Sequence, residues 1–179
     1  MQHVFETEQW LPYPVAQVFA FFADPANLPR LMPRWQRARI ESLTLVPPPP
    51  PPPDARAAIA AGQGTRITLS FRPLPLSPMR LRWDAEIAEF TWHDRFCDIQ
   101  RRGPFASWKH CHRIRPETRN NIAGTLLTDH VVYEPPFGPL GTLANALVLR
   151  FQIRSAFAFR HKRTPDLIPQ TSDPRPQTP

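Results

Sequence analysis

Cysteine is almost absent from this chain: Cys97 and Cys111 are the only two in 179 residues. Their spacing makes neither a metal nor a redox motif, and one pair does not define a disulfide framework. A reducing, cytoplasmic setting is the simplest expectation. Lysine is as scarce, with Lys109 and Lys162 alone, although the formal net charge is +7. The positive charge therefore rests on arginines scattered from Arg30 to Arg175, with one modest cluster at Arg160, His161, Lys162 and Arg163. A nucleic-acid binder concentrates such charge on one face or arm, so no nucleic-acid partner is expected. Long apolar runs are missing too. The stretch from Leu140 to Phe159 is interrupted by Arg150, Gln152 and Arg154, which makes it a poor membrane span. The opening MQHVFETEQW carries acidic residues where a signal peptide carries a basic region and an apolar run.

What is present suffices for one domain. Hydrophobic residues make up 41% and aromatic residues 11%, enough to fold despite 25 prolines. The prolines must then be clustered, and Pro47–Pro53 is an unbroken run of seven. Lacking a backbone donor, such a run cannot lie inside a sheet. Residues 47–61 are therefore expected to form a Pro-rich loop insertion, an exposed polyproline spur with an Ala-rich return. It is either a tolerated hairpin insertion or a docking site for a proline-binding module. The domain is expected to span residues 1–163, with residues 164–179 a disordered tail rich in Pro, Gln and Thr.

The order of elements is legible from periodicity. His3 to Leu11 suits a strand closed by Pro12 and Pro14. Val15, Val18, Phe19 and Phe22 then describe a short amphipathic helix ending near Asp24 and Pro25, and ANLPRLMPRW a second, proline-broken one. Strand patterns follow at 39–46, 65–72, 80–90, 95–102, 107–115 and 124–134, separated by short turn-like links that imply antiparallel neighbours. The last pattern is a long helix from about Leu140 to His161. Its apolar residues form no single stripe, which predicts burial on more than one side.

Several stretches stand in the order of a known superfamily: HVFE at His3–Glu6, FFADPANLPRLMP at Phe21–Pro33, RGPFASWKHCH at Arg102–His112 and TDHVVYEPPFGPLG at Thr128–Gly141. With them the chain resembles a bacterial branch of the SRPBCC superfamily, the START/Bet v 1-like or polyketide cyclase/dehydrase-like proteins, over roughly residues 3–161. The resemblance implies an α+β helix-grip fold, a curved antiparallel sheet of six to seven strands around a long C-terminal helix with two short helices after the first strand. It implies a cavity between sheet and helix that holds a small hydrophobic molecule such as a lipid, quinone or polyketide. It also leaves room for cyclase or dehydratase chemistry, and it implies no cofactor.

Alternate strand residues share a face. In the 107–115 strand the bulkier set is Trp108, His110, His112 and Ile114, which should point inward. The matching sets are Phe96, Asp98, Gln100 and Arg102, and Leu127, Asp129, Val131 and Tyr133. If paired residue numbers sum to about 208 and 239 across the two short turns, Asp98, His110 and Asp129 form one polar row inside an apolar wall. The row can be a satisfied buried network, a ligand-recognition site, or a catalytic group in which His110, oriented by Asp98 or Asp129, abstracts a proton beside a carbonyl. Candidate lining residues are Phe96, Gln100, Trp108, His112, Leu127, Val131 and Tyr133, with Phe151 and Phe157 from the helix. The spacing of His110 and His112 would let two imidazoles share a metal with an aspartate, but no metal is expected because the resemblance carries none. Arg150 and Arg154, one turn apart, fit peripheral contact with a membrane surface or a position at the cavity mouth.

Overall fold

The computed structural model describes residues 1–52 and 60–169. Seven strands form one antiparallel sheet in the order β1-β7-β6-β5-β4-β3-β2. They run over His3–Leu11, Arg39–Thr44, Arg66–Phe71, Leu81–Thr91, Arg95–Arg102, Ser107–Arg119 and Ile122–Glu134. The chain crosses from β1 at one edge to β2 at the other through helix α1, Val15–Ala23, and two 3-10 turns at Pro25–Leu31 and Arg34–Gln36. Pro14 stands at the α1 N-cap, and the Asp24 side chain accepts the Ala26 N–H to start the next turn. Val18, Phe19, Phe21 and Phe22 of α1 are buried, and Phe19 packs edge-on against Phe90 and Phe96.

The β6–β7 hairpin is longer than the sequence pattern suggests. Pro116 pairs with Thr125 inside the ladder, and the turn is the two residues Asn120 and Asn121, both at positive φ. Asparagine tolerates that conformation, which a two-residue hairpin of this hand requires. Pro116 is accommodated because β5 pairs with β6 only as far as Arg113, leaving one edge of β6 free.

The C-terminal helix comprises α2 at Gly138–Ala144, a π turn at Asn145–Leu149 and α3 at Arg150–Leu167. Buried Asn145 anchors the π turn by accepting the Tyr133 hydroxyl at 2.8 Å. Two expectations are corrected here. The helix is not buried on several sides: Leu140, Leu143, Leu147 and Phe151 are exposed, and the buried side carries Ile153, Phe157 and Thr164. Nor does ordered structure stop at residue 163. Pro165 lies inside α3, and the His161 carbonyl that an N–H four residues on, at position 165, would have satisfied accepts the Gln9 amide at 2.7 Å instead. Thr164 and Ile168 are buried, and the Pro165 carbonyl accepts the Tyr13 hydroxyl. The remainder of the expected tail, residues 170–179, lies outside the described residues.

The proline segment is tied down at its base. Gly62 donates to the Val46 carbonyl, Trp92 donates to the Pro49 carbonyl, and Ala60 and Ala61 are buried in the core. A Cβ on Gly62 would stand 2.6 Å from Pro48 Cα, so only glycine lets the two legs cross there. Residues 53–59, the rest of the expected spur, lie outside the described residues. Cys97 and Cys111 are directly opposed on β5 and β6 and are disulfide-bonded, with Cα atoms 4.1 Å apart. The register brings the two sulfurs together, and the bond removes the support that free cysteines would give to a reducing compartment.

Ile168→Ala is expected to cost about 2–5 kcal/mol of unfolding free energy in urea, the range for emptying a buried aliphatic site. A cost below about 0.5 kcal/mol, the range of a surface substitution, would contradict the docking of the last turn.

Candidate functional site

The register sum between β5 and β6 is 208, as the sequence reading has it, so Asp98 stands opposite His110. Between β6 and β7 the sum is 241, two more than expected. A shift of two preserves the face, so Asp129 still points inward but stands opposite His112, diagonal to His110. The consequence is a denser cluster than a single row. His110 Nε2 lies 2.9 Å from Asp129 Oδ1, and His110 Nδ1 lies 3.4 Å from Asp98 Oδ2. His112 Nδ1 stands 2.7 Å from Asp129 Oδ1, off the line a hydrogen bond needs.

Helix α3 closes the cluster with two residues that the strand pattern does not reveal. Arg160 Nη1 is 3.9 Å from Asp129 Oδ1, and its Nη2 is 3.4 Å from His112 Nε2. His161 Nε2 is 3.9 Å from Asp129 Oδ2. The guanidinium lies over the Phe22 ring at 4.8 Å, which fixes its direction. In the sequence this pair reads only as part of a basic cluster. The available signal was spacing: Ile153, Phe157, Arg160, His161, Thr164 and Ile168 recur at three- and four-residue intervals on one helix face.

The electrostatics follow from burial and partners. Asp129 is fully buried, which by itself disfavours its charge, yet Arg160, His112 and His110 outweigh that and hold its pKa well below the ordinary carboxylate value. Burial also opposes charge on His110, but hydrogen bonds to Asp129 and Asp98 prevail and raise its pKa. For His112 burial wins, reinforced by neighbouring His110 and Arg160, and its pKa is pushed down to about 4. Both ring nitrogens of His110 face carboxylates. As placed, His110 has no free nitrogen to take a proton from a substrate.

The other candidate residues separate into groups. Phe96 and Leu127 lie below the cluster in the core that includes α1, and the Phe96 ring is 4.5 Å from that of His112. Trp108, Val131 and Tyr133 lie above it with Phe157, Ile153 and Phe105. Gln100 does not line a chamber: its side chain staples the 103–106 turn through the backbone of Phe105. Phe151 is half exposed and stacked by Arg150, away from the sheet. The space around Trp108, His110 and Asp129 is therefore filled by side chains. A recess of about 490 Å³ opens beside it, between the edge strand β1 and α3, lined by Val4, Phe5, Thr7, Arg154, Phe157 and His161 among others.

Asp129→Ala should destabilise the fold by about 3–5 kcal/mol in chemical denaturation, because it strands buried partners. Asp98→Asn should cost less, since Asp98 keeps access to water. Equal losses would contradict the central place of Asp129.

No curated protein matches the chain in sequence. Solved structures match its fold. The protein TTHA0849 from Thermus thermophilus has a TM-score of 0.60 at 21% identity, over 90% of this chain and 96% of that one. Ara h 8.0201 has a TM-score of 0.56 at 15% identity, over 90% and 97%. Norcoclaurine synthase from Thalictrum flavum has 0.57 at 12% identity, over 90% and 86%. These identities carry the helix-grip fold and nothing finer. The family model described as polyketide cyclase / dehydrase and lipid transport matches residues 11–158. The chain belongs to the polyketide cyclase/dehydrase and lipid transport family, within the SRPBCC proteins of Bet v 1-like fold.

Proposed function

We propose that this protein binds a small hydrophobic molecule, of lipid, quinone or polyketide-like character, in the recess between β1 and α3. The observation that carries the reading is the position of that recess. Its volume of about 490 Å³ suits a small ligand, and two of its lining residues, Phe157 and His161, also touch the buried cluster. Val4, Phe5, Phe157 and Ala158 offer apolar contact. Arg154 and His161, with Glu6 beside them, offer hydrogen bonds to a carbonyl or hydroxyl at one end of the guest. Family membership supports the general class of ligand. Binding is favoured over cyclase or dehydratase catalysis because His110 is held by Asp98 and Asp129 on both sides.

Peripheral membrane contact is the second reading, and a separate observation favours it. Leu140, Leu143, Leu147 and Phe151 repeat at helical intervals on the outer side of the C-terminal helix, and all are exposed. The loop between β3 and β4, at the same end of the sheet, exposes Leu74, Leu76 and Met79. Arg72, Arg80 and Arg150 flank these patches in sequence. Such an apolar face with a cationic border suits an anionic lipid surface.

A fluorescent fatty acid or quinone should be taken up saturably at one site per chain. Ala158→Trp, which fills the recess from an exposed position, should weaken uptake at least tenfold without unfolding the protein, a change of about 1.4 kcal/mol. Uptake unchanged by that substitution would place the ligand elsewhere. In flotation assays at low salt, the protein should rise with anionic vesicles, and Leu143→Glu with Leu147→Glu should abolish this. Absence of flotation would remove the membrane reading.

A further inference from the structure

The buried cluster leaves four polar atoms unsatisfied, all on side chains gathered about Asp129: the Arg160 Nε donor and three that could act as acceptors or ligands. Among the described residues, His112 Nδ1, Asp129 Oδ2 and His161 Nε2 are out of contact with solvent and have no hydrogen-bond partner. Asp129 is fully buried and His112 nearly so. An ionised carboxylate has about four lone-pair directions, and leaving one oxygen bare in the interior is costly.

The donor set points to what would satisfy them. Three imidazole nitrogens, His110 Nε2, His112 Nδ1 and His161 Nε2, stand 2.9, 2.7 and 3.9 Å from the two oxygens of Asp129. A tetrahedral ion with bonds of roughly 2.0–2.1 Å sets its ligand atoms about 3.4 Å apart. Two of these separations, both to Oδ1, are shorter than that spacing and the one from His161 is longer, so loading an ion requires His110 and His112 to draw back from Oδ1 and His161 to close on Oδ2. The strands supply part of the set rigidly: His110 and His112 are i, i+2 on β6, their rings 4.1 Å apart, and Asp129 faces them from β7. Ligand atoms of Asp98, His110 and His112 also lie within 4.8 Å of one another. Asp98 sits on the far side of His110, 3.4 Å from Nδ1. That is the position from which a carboxylate orients a metal-bound imidazole.

We propose that this cluster is a site for one first-row divalent transition ion, zinc suiting it best, held by His110, His112, His161 and Asp129, with Asp98 as the positioning residue behind His110. Nitrogen-rich mixed donor sets of this kind favour such ions over magnesium or calcium. Arg160 is the competing cation. It faces Asp129 Oδ1 and His112 Nε2, and in the loaded site it would move off His112, whose Nε2 then carries the proton. The recess brings solvent as far as His161, whose side chain is 23% exposed, and gives the ion an entry path. This inference is independent of the proposed apolar ligand, whose uptake is measured in the presence of chelator.

The test is titration of the untagged, chelator-stripped full chain with Co²⁺ alone, followed by visible absorption and calorimetry. The expected result is one equivalent per chain, with the intense visible bands of a tetrahedral site, displaced by Zn²⁺. His161→Gln, at the rim and therefore compatible with folding, should lower affinity at least tenfold. Asp98→Asn should lower it about 10- to 100-fold with the stoichiometry unchanged, the usual effect of removing an orienting partner. His130→Gln, on the opposite face of β7, should leave it unchanged. Lack of saturable one-to-one binding would overturn the proposal, as would binding that His161→Gln leaves intact.

Discussion

The fold is organised around a carboxylate that water does not reach. Asp129 is fully buried on β7, the strand beside the β1 edge, and a lone charge there would be expensive. Its cost is offset because β6 brings His110 and His112 to it and α3 brings Arg160 and His161. Sheet and helix are thus joined through a polar centre, with an apolar cluster on either side of it. This explains why α3 carries charge on its inner face. The helix must supply Arg160 and His161 at the turn that crosses Asp129, and Phe157 and Thr164 one turn to either side.

Much of this was legible in the sequence. Strand limits agree where short turns and alternation fix them locally, as in Arg95–Arg102, and fall short at the β6–β7 hairpin, which extends to a two-residue turn. His110, His112 and Asp129 share a face as read because a two-residue slip, from 239 to 241, preserves side-chain direction, whereas Arg102, expected on the inward face of β5, is exposed. What local pattern could not supply was the helix contribution. Hydrophobic periodicity looks for an apolar stripe, and here the buried stripe is polar at its centre, so Arg160 and His161 read as surface charge. The apolar residues that do stand out, Leu143, Leu147 and Phe151, are exposed. The Pro-, Gln- and Thr-rich composition from residue 164 misled in a similar way. A proline normally ends a helix, but Gln9, more than 150 positions earlier, satisfies the carbonyl it strands.

The expected internal chamber is also revised by packing. Phe157 approaches His110 to 5.4 Å between ring centres, and Phe96 covers His112. Side chains thus pack over His110 and His112, and a recess lies at the margin, where β1 and α3 diverge. A ligand there would touch the polar centre through His161 and leave His110 behind its two carboxylates. Recognition of one polar end of an apolar molecule needs no more than this.

The most direct measurement is a crystal structure of the protein with a brominated fatty acid or quinone, with bromine located by its anomalous signal. The expected result is a bromine peak in the recess beside Phe5, Phe157 and His161, with the Asp129 cluster intact beneath it. A peak between Trp108 and Asp129, reached by displacement of Phe157 into solvent, would contradict it.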